Sequence, residues 1–193
     1  ALTMLSVGLG LVVLATIGQM DNNLRKNINN DLAERAPTFF LIDIQPQQLS
    51  PLENSMLNIG QISEFSSAPM LRGVISHING IPAKEFAGDH WAIRGDRGLT
   101  YSKTPPRNSS IIEGQWWDPN YEGEPLISFA KEEALEMGLS LGDKITVNVL
   151  GRDLVGTIKN FRNVNFATMR INFLMVFNPS ALNKAPHSYI ATV

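Results

Sequence analysis

Ala134-Leu135-Glu136-Met137-Gly138-Leu139-Ser140-Leu141-Gly142-Asp143-Lys144-Ile145-Thr146-Val147-Asn148-Val149 passes from a helical period to a strand period without a break. Upstream of it, Ser128 stands where it can cap a helix over Phe129 to Met137 that places Ala130, Ala134 and Met137 on one face. Gly138 falls where a helix needs a left-handed C-terminal residue. Ile145, Val147 and Val149 then alternate with Thr146 and Asn148, the period-two pattern of a half-buried strand. Beyond the Gly151 turn, Leu154 to Ile158 supplies an antiparallel partner. A helix feeding an antiparallel strand pair makes the fold class α+β.

Working outward, Phe39-Phe40-Leu41-Ile42-Asp43-Ile44 reads as a strand rich in aromatic and β-branched side chains. Ser50-Pro51 supplies an N-cap and a first-turn proline for a helix through Leu57. Met70 to Ile78 is a second strand, and Asn79-Gly80 after it is a strong hairpin signal. Trp91 to Ser102 and Ile111-Ile112 read as short strands around a Pro105-Pro106 loop. Ile171 to Phe177 and Ser188 to Val193 are strand-like and are separated by a loop holding Pro179 and Pro186. There is no internal repeat and no low-complexity tract.

Residues 1–20 carry no charge, and polarity returns at Asp21 with no proline or turn cluster between. At about 1.5 Å per residue, a helix of this length covers the ~30 Å of a bilayer's hydrocarbon core. The expectation is therefore a transmembrane helix over 1–20 and a membrane as partner. A signal peptide fits less well, because no Lys or Arg precedes Arg25 and the chain starts at Ala1 rather than Met. Leu24, Ile28 and Leu32 recur every four residues among polar side chains, so the helix is expected to continue as a stalk over 21–36 and to end before Pro37. The charges just after the span balance by sign and set no orientation. The absent initiator methionine and the end inside an apolar run imply a fragment of a longer protein.

Composition narrows the function further. A net charge of −2 gives no basic footprint for nucleic acid. Zero cysteines exclude disulfides, thiolate metal sites and a cysteine nucleophile. No Gly-x-x-x-x-Gly-Lys phosphate loop is present, so any ATPase is another polypeptide, and no Gly-x-Ser-x-Gly elbow marks a hydrolase.

The remaining candidates have plain structural readings. His77, His90 and His187 are scattered without metal-ligand spacing, and no metal or cofactor site is expected. Asp89-His90 can orient a general base for a serine such as Ser128, but a solvated loop pair is the simpler reading. Glu132 and Glu133 complement a helix dipole. Trp116-Trp117 favours packing within the domain over a membrane or partner contact, and Arg94, Asp96 and Arg97 fit a buried, salt-bridged turn. Gly73 to Pro82 has the look of a PDZ strand and hairpin, yet the one matching glycine loop, Gly8 to Leu11, lies in the apolar run. No residue is assigned a catalytic role, and the chain is expected not to be an enzyme.

Three stretches together resemble a known family. They are Trp91 to Ser102, then Gly114-Gln115-Trp116-Trp117, then Met137 to Val147 with its helix, Gly-Leu-x-Leu-Gly-Asp and strand. The third resembles the extracytoplasmic core domain of FtsX-like, MacB-like ABC transporter permeases. The first two, with Ile171-Asn172-Phe173 and His187 to Val193, look closest to the YbbP branch of that family. The resemblance implies a two-lobed, mixed α/β periplasmic domain over 37–193. Its inner lobe would take residues 38–90 and 163–193, and its β-rich outer lobe residues 91–162. It also implies a permease in the bacterial inner membrane with this domain facing the periplasm. A separate ABC ATPase subunit would be its partner, in a dimer of permease units or a pseudo-dimer within one chain. ATP hydrolysis would drive periplasmic motion acting on a lipid, lipoprotein or similar envelope substrate. A membrane-anchored sensor or ligand-binding domain is the alternative expectation, and it requires one deep pocket with convergent polar groups.

Overall fold

The computed structural model describes residues 8, 10, 12–21, 37, 39–59, 62, 64–107, 109–166, 168 and 170–193. It divides into two units, Ala1–Pro37 and Thr38–Val193. In the first unit residues 12–21 are helical (α1), and Val12, Val13, Leu14, Ile17 and Met20 are all exposed. Thr16 Oγ1 donates to Val12 O at 2.8 Å, so its hydroxyl is satisfied within the helix. The expected span over 1–20 falls partly outside the described residues; among those described, no helix is long and apolar enough to cross a membrane. The expected stalk lies outside them too, apart from Asp21.

The second unit runs β1 (Phe40–Ile44), α2 (Pro46–Leu57), β2 (Ser66–Ile78), β3 (Ile81–Pro82), α3 (Ala83–Ala87), a 3-10 turn (Trp91–Ile93), β4 (Arg97–Tyr101), β5 (Ile111–Gly114), β6 (Leu126–Ala130), α4 (Lys131–Met137), β7 (Lys144–Val149), β8 (Arg152–Arg162), β9 (Met175–Phe177), α5 (Pro179–Leu182) and β10 (Ser188–Thr192). β7 and β8 form the hairpin that the alternation predicts, in continuous antiparallel register from Lys144↔Thr157 to Val149↔Arg152. The Asn79-Gly80 turn also forms: φ is +51° and +80° at its two central residues, and Ile78 faces Ile81 across it.

The pairings close on themselves. β2 pairs β4, β4 pairs β9, β9 pairs β6, β6 pairs β8, β8 pairs β7, and β7 returns to β2. Two of these contacts, β4–β9 and β6–β8, are parallel, and the rest are antiparallel. Closure satisfies backbone groups that an open sheet would leave at its edges. The strands bury Ile75, Leu99, Ile127, Phe129, Ile145, Val147, Ile158, Met175 and Phe177, each 2% exposed or less. Side chains of this size contribute about 1.5–3 kcal/mol each on full burial. Two glycines permit the tight crossings. A Cβ on Gly73 would lie 2.7 Å from Leu99 Cδ1 and 2.9 Å from Asn148 O, and one on Gly156 would lie 2.8 Å from Ile127 Cδ1.

β2 serves two neighbourhoods. Its first half, Ser66 to Met70, pairs β10, which in turn pairs β1; its second half joins the ring. α4 packs beside β6 and β8, and Gly138 ends it at φ +72°, ψ +27°, as expected.

Several local expectations are corrected. Ser128 is not a helix cap: Leu126 to Ala130 form a strand, and the helix starts at Lys131 after Ala130. The helix expected from Ser50-Pro51 begins earlier, at Pro46, which takes the favoured first position, while Gln48 Oε1 accepts from Gln45 N at 3.0 Å. Trp91 to Ile93 wind into a 3-10 turn, so only Arg97 to Tyr101 of that stretch is strand. Of Ile171 to Phe177, only the last three residues pair.

Candidate functional site

The most distinctive motif of the chain is spent on structure. Asp143 Oδ2 accepts from Ser140 N at 2.8 Å, closing the turn between α4 and β7. Its other oxygen accepts from Asn79 Nδ2 at 3.0 Å, and Asn79 Oδ1 accepts from Lys144 N at 2.9 Å. Gly-Leu-x-Leu-Gly-Asp and the Asn-Gly turn are therefore one interlocked corner, with Leu139 buried beneath it.

The charged turn is likewise structural, though not in the expected way. Asp96 pairs with Arg72 at 2.8 Å on an exposed surface rather than inside the protein. The Arg72 guanidinium holds the Asp96 carboxyl below its usual range. Arg97 fastens the 3-10 turn through backbone carbonyls, donating to Trp91 O, to Ala92 O at 3.2 Å and to Arg94 O at 2.7 Å.

His90 does not meet Ser128. His90 Nδ1 accepts from Ala92 N at 3.2 Å, and Nε2 lies 2.7 Å from Glu136 Oε2. Ser128, its proposed serine, instead donates to Asn160 Oδ1 at 2.6 Å in the core. His187 Nδ1 donates to Ala185 O at 2.8 Å, and Nε2 lies 3.0 Å from the Tyr101 hydroxyl. Burial and the neighbouring Tyr189 push Tyr101 up to about 12. His77 meets Ser76 at 3.2 Å, while the Ser76 hydroxyl donates to Thr146 O. Among the described residues, no three His, Asp or Glu side chains cluster as metal ligands do. Glu132 stays exposed at the start of α4, whereas Glu133 is buried with Oε2 unpartnered, and burial pushes its carboxyl up.

What sequence reasoning did not locate is a cavity of about 340 Å3 beside the ring. It is lined by Ser66 to Pro69 of β2, Thr100 and Tyr101 of β4, the Ser102 to Arg107 loop, Arg162 at the end of β8, and Ile171 to Phe173. Its lining is polar and, among the described residues, includes two arginines and no acidic residue. Trp116 and Trp117 set the loop that borders it: their indoles stack with centroids 4.0 Å apart and donate to Lys103 O at 3.0 Å and Ser102 O at 2.9 Å. The expected domain packing of the tryptophan pair is thus what forms. Arg162 is 2% exposed, its Nη2 donates to Phe173 O, and burial lowers its pKa to about 10. A second, mainly apolar groove of about 280 Å3 shares Ile171, Asn172 and Phe173 with this cavity and is otherwise lined by residues such as Phe40, Met70, Trp91 and Phe166. The one signal that could have found Arg162 is its phase: Gly156, Ile158, Asn160 and Arg162 are alternate, inward positions of β8.

Compared with known proteins, the chain is 27% identical over 184 residues to "Uncharacterized ABC transporter permease YbbP" of Escherichia coli K12. The match covers 95% of this chain and 22% of that protein, so the chain spans about a fifth of its relative's length. This similarity supports an ABC-permease-like family. No family model and no solved structure matches the chain.

Proposed function

We propose that this chain is the extracytoplasmic part, with its preceding membrane helix, of an ABC transporter permease of the FtsX-like, MacB-like type. In this reading a separate ATPase chain hydrolyses ATP, and the stalk carries the resulting motion to Thr38–Val193 on the periplasmic side of the inner membrane. That motion acts on a lipid, lipoprotein or similar envelope substrate. The observation that carries the reading is the match to a permease along 95% of the chain. The exposed apolar side chains of α1 support it, because large apolar groups facing outward along a helix suit lipid. The interlocked Asn79–Asp143 corner supports it as well, since a domain that transmits force needs stiff connections. The domain acts mechanically and not as an enzyme.

The proposal extends to architecture. Residues 38–90 and 163–193 form the inner lobe and 91–162 the outer lobe. The grouping of β1, β10 and the first half of β2 supports this division, while the second half of β2 crosses it by pairing β4 and β7, and β9 by pairing β4 and β6. Permease units work as a dimer or as a pseudo-dimer within one longer chain.

Copurification of the full-length membrane protein in detergent with the ATPase encoded beside it tests the reading. A stable complex whose ATP turnover changes when 38–193 is deleted is expected; no associated ATPase would sink the proposal. Leu24→Pro, which costs a helix about 3 kcal/mol or more, is expected to leave ATP hydrolysis running but uncoupled from transport. The second reading, a membrane-anchored ligand-binding domain, is favoured by one observation, the polar cavity at Arg162. It requires ligand binding with no ATPase in the complex.

A further inference from the structure

β2 and β4 pair only at Leu71↔Leu99, Arg72↔Gly98 and Gly73↔Arg97. The same antiparallel register would carry on to Pro69 opposite Tyr101 and Ala68 opposite Ser102, yet the ladder stops at Leu71↔Leu99. Pro69 has no N–H to offer it. The 340 Å3 cavity lies where the ladder would have continued, since Ser66 to Pro69 and Thr100 to Ser102 both line it. A cavity over one face of a strand touches alternate residues, because successive side chains point to opposite faces. Consecutive lining residues on both strands therefore place this cavity along their edges. Each strand is paired on its other side, Ser66 to Pro69 with β10, and Thr100 and Tyr101 with β9. Among the described residues, no further ladder or backbone bond takes up Ser66 to Pro69. In an antiparallel pair alternate residues turn N–H and C=O away from the partner, so part of this stretch offers them to the cavity. Ser66 and Ser67 are exposed and Ala68 and Pro69 half-buried, so the edge is within reach.

An open strand edge is complemented by another extended backbone, which adds itself as a strand. The chain does not supply one from the facing loop, because Pro105 and Pro106 in the lining lack N–H groups as well. The small side chains of Ser66, Ser67 and Ala68 leave room for a backbone to approach. We propose that the gap between β2 and β4 docks an extended peptide segment of a partner protein, which pairs with the Ser66–Pro69 edge and carries an acidic side chain toward Arg107. Charge argues for that partner. The loop after β4 carries Lys103 and Arg107, both exposed, and the nearest carboxylate, Glu64, is itself exposed and 4.0 Å from Arg107. Among the described residues no acidic side chain lines the cavity. The site lies within Thr38–Val193 and does not rest on the permease reading, so docking is measured without any ATPase.

Trp116 and Trp117 report on the gap, since both indoles hold its bordering loop. The test pans random octapeptides displayed on phage against the whole chain in non-ionic detergent, then measures resynthesised binders by tryptophan fluorescence and heat. Enriched peptides that carry Asp or Glu, lack proline and bind saturably are expected. Methylating alternate backbone nitrogens of a binder should weaken it at least about tenfold in one of the two registers, because a methylated nitrogen cannot donate. Ser67→Trp and Thr104→Trp fill the gap from exposed lining positions, and each should weaken binding at least about tenfold. Arg107→Glu should weaken it about threefold, whereas Lys84→Glu, on α3, should leave it unchanged. The proposal is overturned if no peptide is enriched, if both methylated registers bind as the parent does, or if neither tryptophan variant weakens binding. Should one tryptophan variant fail to fold, the other decides alone. Enriched sequences that match another part of the full-length polypeptide would assign the gap to that segment. Dimerisation that a binder abolishes would assign it to a second copy, and either result overturns a separate partner.

Discussion

Ser128 and Arg162 lie on the neighbouring strands β6 and β8 of one closed ring, and both are buried, yet the protein treats their polar groups in opposite ways. Ser128 donates to Asn160 at 2.6 Å, and the Asn160 amide goes on to Gln115 O at 3.2 Å. This pair sits at the register shift between Ile127 and Ser128, where the parallel ladder is interrupted and side-chain bonds replace part of it. Arg162, two residues further along β8, keeps one contact to Phe173 O and leaves Nε unanswered. A buried polar group that is fully bonded specifies a fold, whereas one that is not has to be explained by what it does. The difference teaches that two residues of similar burial are satisfied to different degrees, the first fully bonded within the ring and the second only in part.

Removing groups from each site should reveal the asymmetry. Asn160→Ala is expected to have the largest effect, a loss of about 3 kcal/mol in urea unfolding, because it orphans the Ser128 hydroxyl and leaves a void. Ser128→Ala should cost about 1–2 kcal/mol, since one acceptor of Asn160 loses its donor. Arg162→Met removes a buried charge, the donor to Phe173 O and the cation that acts on Glu133, and it should cost about 1–2 kcal/mol, less than Asn160→Ala. If Arg162→Met proved as damaging as Asn160→Ala, the arginine would belong to the structural network and the comparison would collapse.

Glu133 sharpens the contrast through pH. Burial, with Glu132 and Glu136 adding to it, raises its carboxyl above the ordinary 4.5. The folded state therefore holds this proton more tightly than the unfolded chain does. Its contribution to stability is full below the unfolded value and is lost as pH rises through the raised one. Glu133→Gln should flatten the decline in unfolding free energy measured as pH rises above the ordinary carboxyl value of 4.5. An unchanged slope would mean that Glu133 is not the group responsible.

How much of this was legible follows from which interactions are local. The β7–β8 hairpin, the Asn79-Gly80 turn and the Gly138 cap are set within a few residues of each other, and the sequence declares them. Ring closure depends instead on two parallel contacts, β4–β9 and β6–β8, between strands far apart in the chain, which no local period encodes. Ser128 misled for a physical reason. Serine before an acidic, helix-forming run imitates a cap, and only the pairing of Leu126 to Ala130 with both β8 and β9 makes it a core strand residue. The cavity was illegible for the same cause, because Thr100 and Arg162 become neighbours of one space only once the ring is closed. The extent of burial at Glu133, two residues into α4, likewise depends on what the helix packs against.

The smallest expected effect is also the cleanest discriminator. Thr100 sits in β4 between its neighbours β2 and β9, where valine fills nearly the same volume and suits a strand better than threonine does. If Oγ1 has no partner in the folded protein, Thr100→Val removes a desolvated hydroxyl and nothing else. Stability by urea unfolding should then change by less than about 0.5 kcal/mol, or rise, in contrast to the loss at Ser128. A drop above about 1 kcal/mol would show that the hydroxyl is already bonded, and Thr100 would then move from the open site to the closed one.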